Sequence, residues 1–175
     1  AVTNNQGDIQ TQVSANTDAG ISIITYSGSG TAGDTIGHGL NSAPTCIHWK
    51  RRNATGNWMA YFKVLGTGGY LNLDRTNGFD TGASPVNGVA PTNSVITLSS
   101  LGSINNSAGT YVCYAFHDVE GYSKFGSFTG NSSSDGTFVY LGFRPAFVMF
   151  KNVDTVTAWI MQDTTRDPYN VATLD

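Results

Sequence analysis

Short runs of alternating or wholly apolar residues, separated by turn-forming residues, follow one another along most of this chain. Ten such runs predict β-strands, at residues 21–27, 44–50, 57–64, 70–74, 94–100, 110–116, 124–130, 137–143, 146–152 and 157–163. Turn sequences typical of hairpins occur at 55–57 (TGN) and 134–136 (SDG). Because no run has a convincing helical period, the pattern predicts an all-β fold, a β-sandwich of the jelly-roll or lectin-like type.

Residues 1–19 precede this pattern and are mostly polar. They predict an extended lead-in or linker, which packs poorly unless a neighbouring subunit covers it. The sandwich domain is therefore expected at residues 20–175.

An internal repeat divides this domain into two parts. At an offset of 101 residues (40 to 141, for example) the same residue type recurs at four pairs of positions: Leu40 and Leu141, Pro44 and Pro145, Lys50 and Lys151, Trp58 and Trp159. The repeat predicts two pseudo-repeated units, a first unit at about 20–120 and a partial second unit at about 121–175. Either a partner chain supplies the strands that the second unit lacks, or the chain is a fragment of a longer protein.

The composition favours sheet over helix and a neutral polar surface. The chain has 21 Gly and 21 Thr but a single Glu, Glu120, whereas helix surfaces normally use Glu, Lys and Leu. Charged residues make up 12% of the chain, about half the usual share, and the net charge is −3. Such a surface is typical of extracellular or virion proteins, and it offers no electrostatic attraction for nucleic acid.

Membrane insertion is not expected either, because no apolar run approaches the roughly 18 residues that span a bilayer. No signal peptide is visible at the start of the sequence. The two cysteines, Cys46 and Cys113, each lie in an apolar strand-like run, which favours two buried free thiols over a disulfide.

Two short motifs are similar to enzyme signatures. GSGTAG at 28–33 matches a dinucleotide-binding fingerprint, but DTIGHGL follows where that fingerprint needs a helix, so a Gly-rich turn is expected. FDTGAS at 79–84 is similar to the catalytic loop of aspartic proteases, but the chain has no second such loop to pair with Asp80. A surface loop is therefore expected around Asp80.

No other residues point strongly to catalysis. The three histidines, His38, His48 and His117, lack the spacing of metal ligands, and a His117–Asp118 pair at a strand end is usually structural. Asp118 and Glu120 are two residues apart and could share a face, as a glycosidase carboxylate pair requires, but nothing else supports that role. We therefore expect no catalytic residues, no metal ligands and no cofactor.

Exposed aromatic side chains are the remaining candidates for ligand binding, because an aromatic ring can stack on the apolar face of a sugar. The candidate carbohydrate-binding residues are Trp58, Tyr61, Tyr122 and Trp159. Trp58 and Trp159 occupy equivalent positions of the repeat, which favours core packing for that pair. Exposure of Trp58, Tyr61 or Tyr122 in a groove would favour a binding role, and burial of all three would favour a structural one.

Several stretches together resemble a module of unknown function that is found near the ends of tailed-phage fibre proteins and other virion structural proteins. These stretches are TIGHGLNSAP (35–44), KRRNATGNW (50–58), VEGYSKFGSFTGN (119–131) and DGTFVYLGFRPAFVMFKN (135–152). The resemblance covers almost the whole chain after about residue 8. Cys46, His48 and Trp49 depart from its pattern, in which aliphatic residues are more usual.

The resemblance implies a noncatalytic phage virion structural protein, part of a tail fibre, an appendage or a capsid-surface fibre. Fibres of this kind are often trimers, so the implied partners are other copies of the chain in a homo-oligomer, or other virion proteins. The alternative is a carbohydrate-binding receptor-recognition module on the host-facing tip, with a host surface glycan as its partner. A remote alternative is an aspartic protease or glycan hydrolase.

Overall fold

The computed structural model describes residues 1–166. Its elements are β1 (Val2–Asn4), β2 (Thr11–Asn16), β3 (Ile21–Ser27), β4 (Thr35–Gly37), β5 (Cys46–Arg51), β6 (Met59–Phe62), a 3-10 helix (Lys63–Leu65), β7 (Leu71–Asn72), β8 (Val95–Thr97), β9 (Thr110–Phe116), β10 (Phe147–Phe150) and β11 (Ile160–Asp163). No helix in this described part of the chain has the length and apolar character needed to cross a membrane. The expected all-β class is confirmed.

A seven-stranded antiparallel sheet, in the order β1-β2-β3-β9-β5-β6-β7, dominates the fold. β9 lies at its centre and pairs with β3 on one side and with β5 on the other. Two smaller antiparallel pairs, β4–β8 and β10–β11, complete the described structure.

The inner face of the large sheet is a continuous row of buried side chains, because alternate residues of a strand point to the same face. Val13, Ile24, Cys113, Trp49 and Met59 lie opposite one another on five successive strands, and none is more than 5% exposed. Full burial of a large apolar side chain contributes about 1.5–3 kcal/mol. Burial of this row therefore stabilises the packing of these five strands in one core.

The β4–β8 pair covers this row from the other side. Ile36 of β4 and Ile96 of β8 lie opposite each other and are fully buried in the same apolar cluster as Trp49. Leu98 and Ile104, which follow β8, join that cluster. The core thus lies between the large sheet and a second layer made of β4, β8 and the loops beside them.

Residues 1–19 belong to the large sheet. β2 pairs with β3 over five residues and buries Thr11 and Val13, and β1 pairs with β2 at the sheet edge. This placement corrects the expectation of a linker. β2 was not predicted because most of its residues are polar, and the alternation of buried and exposed side chains is limited to its first residues, Thr11 to Val13.

Two predicted strands, 124–130 and 137–143, are not strands in the structure. No neighbouring strand pairs with either segment, and most of their side chains are exposed. An alternating sequence pattern is stabilised as a strand by hydrogen bonds and side-chain pairs across to a second strand. Those two predictions were wrong because that second strand is not present among residues 1–166.

Candidate functional site

Aromatic side chains line the outer face of the large sheet. The centroid of the His48 ring lies 6.1 Å from that of Phe62 and 5.5 Å from that of Phe116. Phe125 packs on Phe116 at 5.8 Å, and Trp159 packs on Phe62 at 6.2 Å. Segments that follow β9 therefore cover part of this outer face.

The four candidate carbohydrate-binding residues occupy different environments. Tyr61 is 1% exposed on the inner face of the sheet, where burial raises its pKa, so its expected role in stacking on a sugar is corrected. Trp58 and Trp159 are half-buried, and the Trp58 ring lies 6.0 Å from that of Tyr114. Tyr122 is 64% exposed in the turn after β9.

A polar depression of about 650 Å³, which we call the polar pocket, lies beside β7. Its lining residues are Asn57, Tyr70, Asn72, Asp74, Arg75, Thr76, Asn77, Asp80 and Val156. Backbone hydrogen bonds hold the loop after β10 against it: Phe79 N donates to Val153 O at 2.7 Å, and Thr157 N donates to Thr76 O at 2.9 Å. Eight of the nine lining side chains are polar, so a ligand here would be held mainly by hydrogen bonds.

Two carboxylates in the polar pocket are held by donors of the protein itself. Asp74 Oδ1 accepts a hydrogen bond from Trp58 N at 3.1 Å. Asp80 Oδ2 accepts from the Tyr70 hydroxyl at 2.9 Å, and Asp80 Oδ1 accepts from Gly82 N at 2.7 Å. Burial, and the hydrogen bond to the Asp80 carboxylate, raise the pKa of Tyr70, which therefore keeps its proton at neutral pH.

Asp80 lies in a loop, where the sequence placed it, and forms an isolated bridge with Tyr70. The second carboxylate, Asp74, was not selected from the sequence. It comes at the end of the predicted strand 70–74, where no motif marks it, and only the folding of the loop back onto β7 brings it to the pocket of Asp80.

Asn72, which lines the polar pocket, has a buried side-chain atom without a hydrogen-bond partner. The residue is 4% exposed, and its side-chain Oδ1 has no hydrogen-bond partner among residues 1–166. Its backbone oxygen accepts from Trp159 Nε1 at 2.9 Å, which fixes the strand beneath the pocket. An unpaired buried oxygen of this kind costs about 1–3 kcal/mol in the free energy of unfolding.

The other titratable candidates are scattered. His38 is buried and its ring bonds the backbone oxygen of Thr92 at 3.1 Å. Asp118 accepts a hydrogen bond from the Thr45 hydroxyl at 2.9 Å, while Glu120 is exposed. In the portion of the chain that the structure describes, no group of three or more His, Cys, Asp or Glu residues could hold a metal ion.

Cys46 and Cys113 are buried free thiols, as expected. Cys46 lies opposite Phe116 on the outer face of the sheet, and Cys113 lies opposite Trp49 on the inner face. The two sulfur atoms therefore point to opposite faces. Burial raises the pKa of both thiols, which are therefore protonated at neutral pH.

The β5–β6 and β10–β11 hairpins, which we call the first and second hairpins, have the same register at an offset of 101. Cys46 pairs with Phe62 in the first hairpin, and Phe147 pairs with Asp163 in the second. The remaining three pairs of each hairpin correspond in the same way. The two hairpins therefore share one register, at the same offset as the recurring residues of the sequence.

Hydrogen bonds outside the strands follow the same offset. Lys50 Nζ donates to Gly56 O in the first hairpin, and Lys151 Nζ donates to Thr157 O at 2.7 Å in the second. Immediately after the strands, the backbone N–H of Lys63 donates to Thr45 O at 2.8 Å, and that of Thr164 donates to Ala146 O at 3.0 Å. The equivalence thus extends to the loops and ends of both hairpins.

The surroundings of the two hairpins differ. β5 has β9 along its second edge, and β6 has β7. Within residues 1–166, β10 and β11 pair only with each other. Among residues 1–166, nine of the thirteen exposed large hydrophobic residues lie from Tyr122 to Met161, the part of the described chain that contains the second hairpin.

Comparisons with curated proteins and with solved structures find no match to this chain. One family, DUF7483, described as a domain of unknown function, matches residues 1–175. The match includes both hairpins and the polar pocket between them. The chain therefore belongs to the DUF7483 family.

Proposed function

We propose that this chain is a noncatalytic structural protein of a phage virion, part of a tail fibre, an appendage or a capsid-surface fibre. The resemblance of TIGHGLNSAP and VEGYSKFGSFTGN to modules of phage fibre proteins supports this location. The low content of charged residues, 12%, suits a neutral particle surface.

The architecture that we propose is a β-sandwich built from two pseudo-repeated units. The first unit comprises the large sheet and the β4–β8 layer that packs on it. The second unit is partial and is represented by the second hairpin, the counterpart of β5–β6. Equal register and equivalent lysine bonds support this reading.

The observation that carries the proposal is the edge of β10 that no strand covers among residues 1–166. In the first unit the corresponding edge of β5 is covered by β9 over six residues. Around the open edge, Phe147 and Met161 are each 54% exposed, and Val148 is 38% exposed. Ile47, the counterpart of Val148 in the first unit, is fully buried.

An antiparallel strand from another chain would complete the second unit, as in other cases of strand addition to an open sheet edge. The partners that we propose are further copies of the chain in a homo-oligomer, three copies being common in fibres, or other virion proteins. An assembly of several copies would multiply weak contacts with a host surface into avidity.

The test is the oligomeric state of the purified chain, measured by analytical ultracentrifugation over a range of concentrations. We expect an associating protein, and we expect Val148→Asp to weaken the association about tenfold or more, because a buried unpaired carboxylate is costly. Val89→Asp is the matched control, since Val89 is 47% exposed but lies in the first unit. A protein that remains monomeric at every concentration, or equal effects of the two variants, would contradict the proposal.

One observation favours the carbohydrate-binding alternative, and it concerns the polar pocket and not the aromatic candidates. Tyr61 is buried, and Tyr122 is exposed in a turn that does not line the polar pocket. The polar pocket, in contrast, is large enough for a sugar and is rich in hydrogen-bonding groups.

A further inference from the structure

Two polar side-chain atoms on the inner face of the large sheet are buried and have no hydrogen-bond partner among residues 1–166. They are the Ser22 hydroxyl oxygen, in a fully buried residue, and His117 Nε2, in a residue that is 9% exposed. Ser22 has the same orientation as Ile24 on β3, and His117 continues the alternation of buried residues along β9. Both side chains therefore point into the core.

The strand register makes these two side chains neighbours. Ser22 pairs with Ala115, and the bond from His117 N to Gly20 O at 2.9 Å continues the ladder, so Ser22 and His117 are diagonal neighbours. Diagonal side chains have Cβ atoms about 7–8 Å apart or somewhat less. The imidazole ring lies against Gly20, where an added Cβ atom would come within 3.1 Å of His117 Cε1, the ring carbon bonded to Nε2. This separation suits a bridge of one water molecule, because two hydrogen bonds of about 2.8 Å span up to about 5.6 Å.

The hydrogen-bonding roles of the two atoms are complementary. His117 Nδ1 is 2.8 Å from the backbone oxygen of Asp118, which can only accept, so in the neutral ring Nδ1 carries the hydrogen and Nε2 is an acceptor. The Ser22 hydroxyl can donate, but it does not bond directly to this ring. A small molecule that both accepts and donates would satisfy both atoms, and buried polar groups of this kind are commonly satisfied by ordered water.

We infer that one internal water molecule binds between Ser22 and His117. It accepts the hydroxyl hydrogen of Ser22 and donates one of its own hydrogens to His117 Nε2. Globular proteins hold about one buried water per 27 residues, so such a site is usual for a domain of this size. A metal ion is the competing ligand, but the described residues contain no group of three or more His, Cys, Asp or Glu side chains that could hold one.

The water fixes the end of β9, at which the chain leaves the large sheet. With Nε2 held, the His117 ring keeps its Nδ1 hydrogen on Asp118 O. The Asp118 side chain in turn accepts hydrogen bonds from the Thr45 hydroxyl at 2.9 Å and from Phe125 N at 3.2 Å. A single internal water thus links the inner-face core to the turn that follows β9.

The test is a crystal structure of the chain at about 1.5 Å resolution, together with NMR of the histidine-labelled protein at about pH 8. In the crystal we expect density for a water molecule within about 3.2 Å of both Ser22 Oγ and His117 Nε2. In long-range proton–nitrogen spectra we expect the neutral His117 ring to carry its hydrogen on Nδ1. We expect Ser22→Ala to lower the occupancy of this water by half or more, because one of its partners is lost.

Ser27→Ala is the matched control, because Ser27 is an exposed serine at the other end of β3, and its removal should leave the water in place. A gap without density between ordered Ser22 and His117 side chains would overturn the inference, as would a direct bond between them or an ion in place of the water. A hydrogen on Nε2 of the neutral ring, or equal occupancy in the two variants, would overturn it as well. The site lies within the first unit, so none of these results bears on the assembly proposal.

Discussion

His48 is an ionisable residue in an apolar setting on the outer face of the sheet. Its ring lies between Phe62 and Phe116, and its Nε2 atom is 3.2 Å from the Cys46 sulfur. Burial lowers the pKa of His48 from 6.5 to about 4. The folded protein therefore holds this imidazole neutral under conditions in which the unfolded chain would protonate it.

We predict that His48 makes the protein less stable as the pH falls from about 6.5 to about 4. In that window the unfolded chain binds a proton that the folded protein does not, and the loss amounts to up to about 3 kcal/mol in the free energy of unfolding. Urea unfolding of the wild type and of His48→Phe across this range would measure it. His38, whose pKa burial also lowers, is present in both proteins, so the difference between them isolates His48. Parallel pH profiles would refute the prediction.

Residue-level environment was only partly predictable from the sequence. Alternation along 57–64 indicates a strand but not which of its faces is the inner one, so Tyr61 could not be assigned to the core. The residues of the polar pocket come from three separate segments, and no local pattern connects Asn57, Asn72 and Val156. Burial of the two thiols was predictable because each cysteine lies in an apolar run.

At the scale of elements, the turn at 28–33 shows how a single side chain organises a loop. Asn105 is fully buried, and its Oδ1 atom accepts hydrogen bonds from Ser29 N at 2.8 Å and Gly30 N at 3.3 Å. Its Nδ2 atom donates to Thr31 O at 2.9 Å. A Cβ atom at Gly28 would lie 2.5 Å from the backbone oxygen of Asn106, so the turn also needs glycine there. The motif that resembles a dinucleotide fingerprint leads into a strand, β4.

We predict that Asn105→Ala destabilises the protein by about 2–4 kcal/mol, because it leaves backbone donors of this turn unpaired and opens a cavity. Thermal and urea unfolding would measure the loss. Asn106→Ala is the control, since the Asn106 side chain only accepts a bond from Ala108 N in an exposed position. Equal losses in the two variants would mean that the buried amide has no special role.

Strands with long apolar alternation were the predictable elements. β3 and β9 were predicted to the residue, and β5, β6, β7, β8, β10 and β11 lie within or overlap predicted runs. β1 and β2 were missed because they are short or polar, and it is hydrogen bonding to neighbouring strands that makes them strands. The opposite error at 124–130 and 137–143 has the same origin, since tertiary pairing decides whether a weak pattern becomes a strand.

At the scale of the whole molecule, the two hairpins provide an internal comparison of packing. They have the same register, but within the described residues 1–166 only the first is paired on both outer edges and buried on its inner face. The bonds that attach the second hairpin to the rest of the described chain include Lys151 Nζ to Thr76 O at 3.0 Å and Trp159 Nε1 to Asn72 O at 2.9 Å.

We predict that backbone amides of β10 and β11 exchange with deuterium much faster than those of β5 and β6. Local opening is easier where few apolar contacts and few strand pairs must be broken. Hydrogen-exchange mass spectrometry of peptides covering 46–62 and 147–163 would compare the hairpins within one molecule. Similar protection of both would show that the second hairpin is covered in solution.

The central position of β9 has a consequence for how the chain acquires its structure. β9 is the last strand of the large sheet to occur in the sequence, yet it joins β3 to β5, and Ser27 pairs with Thr110, 83 positions away (110 minus 27). During synthesis, β1–β3 and β5–β7 can form only as separate pieces until residues 110–116 emerge. Closure of so long a loop is entropically costly, and sheets with distant pairings fold on a scale of about milliseconds to seconds. We therefore expect the two parts of the large sheet to join only when β9 inserts between β3 and β5.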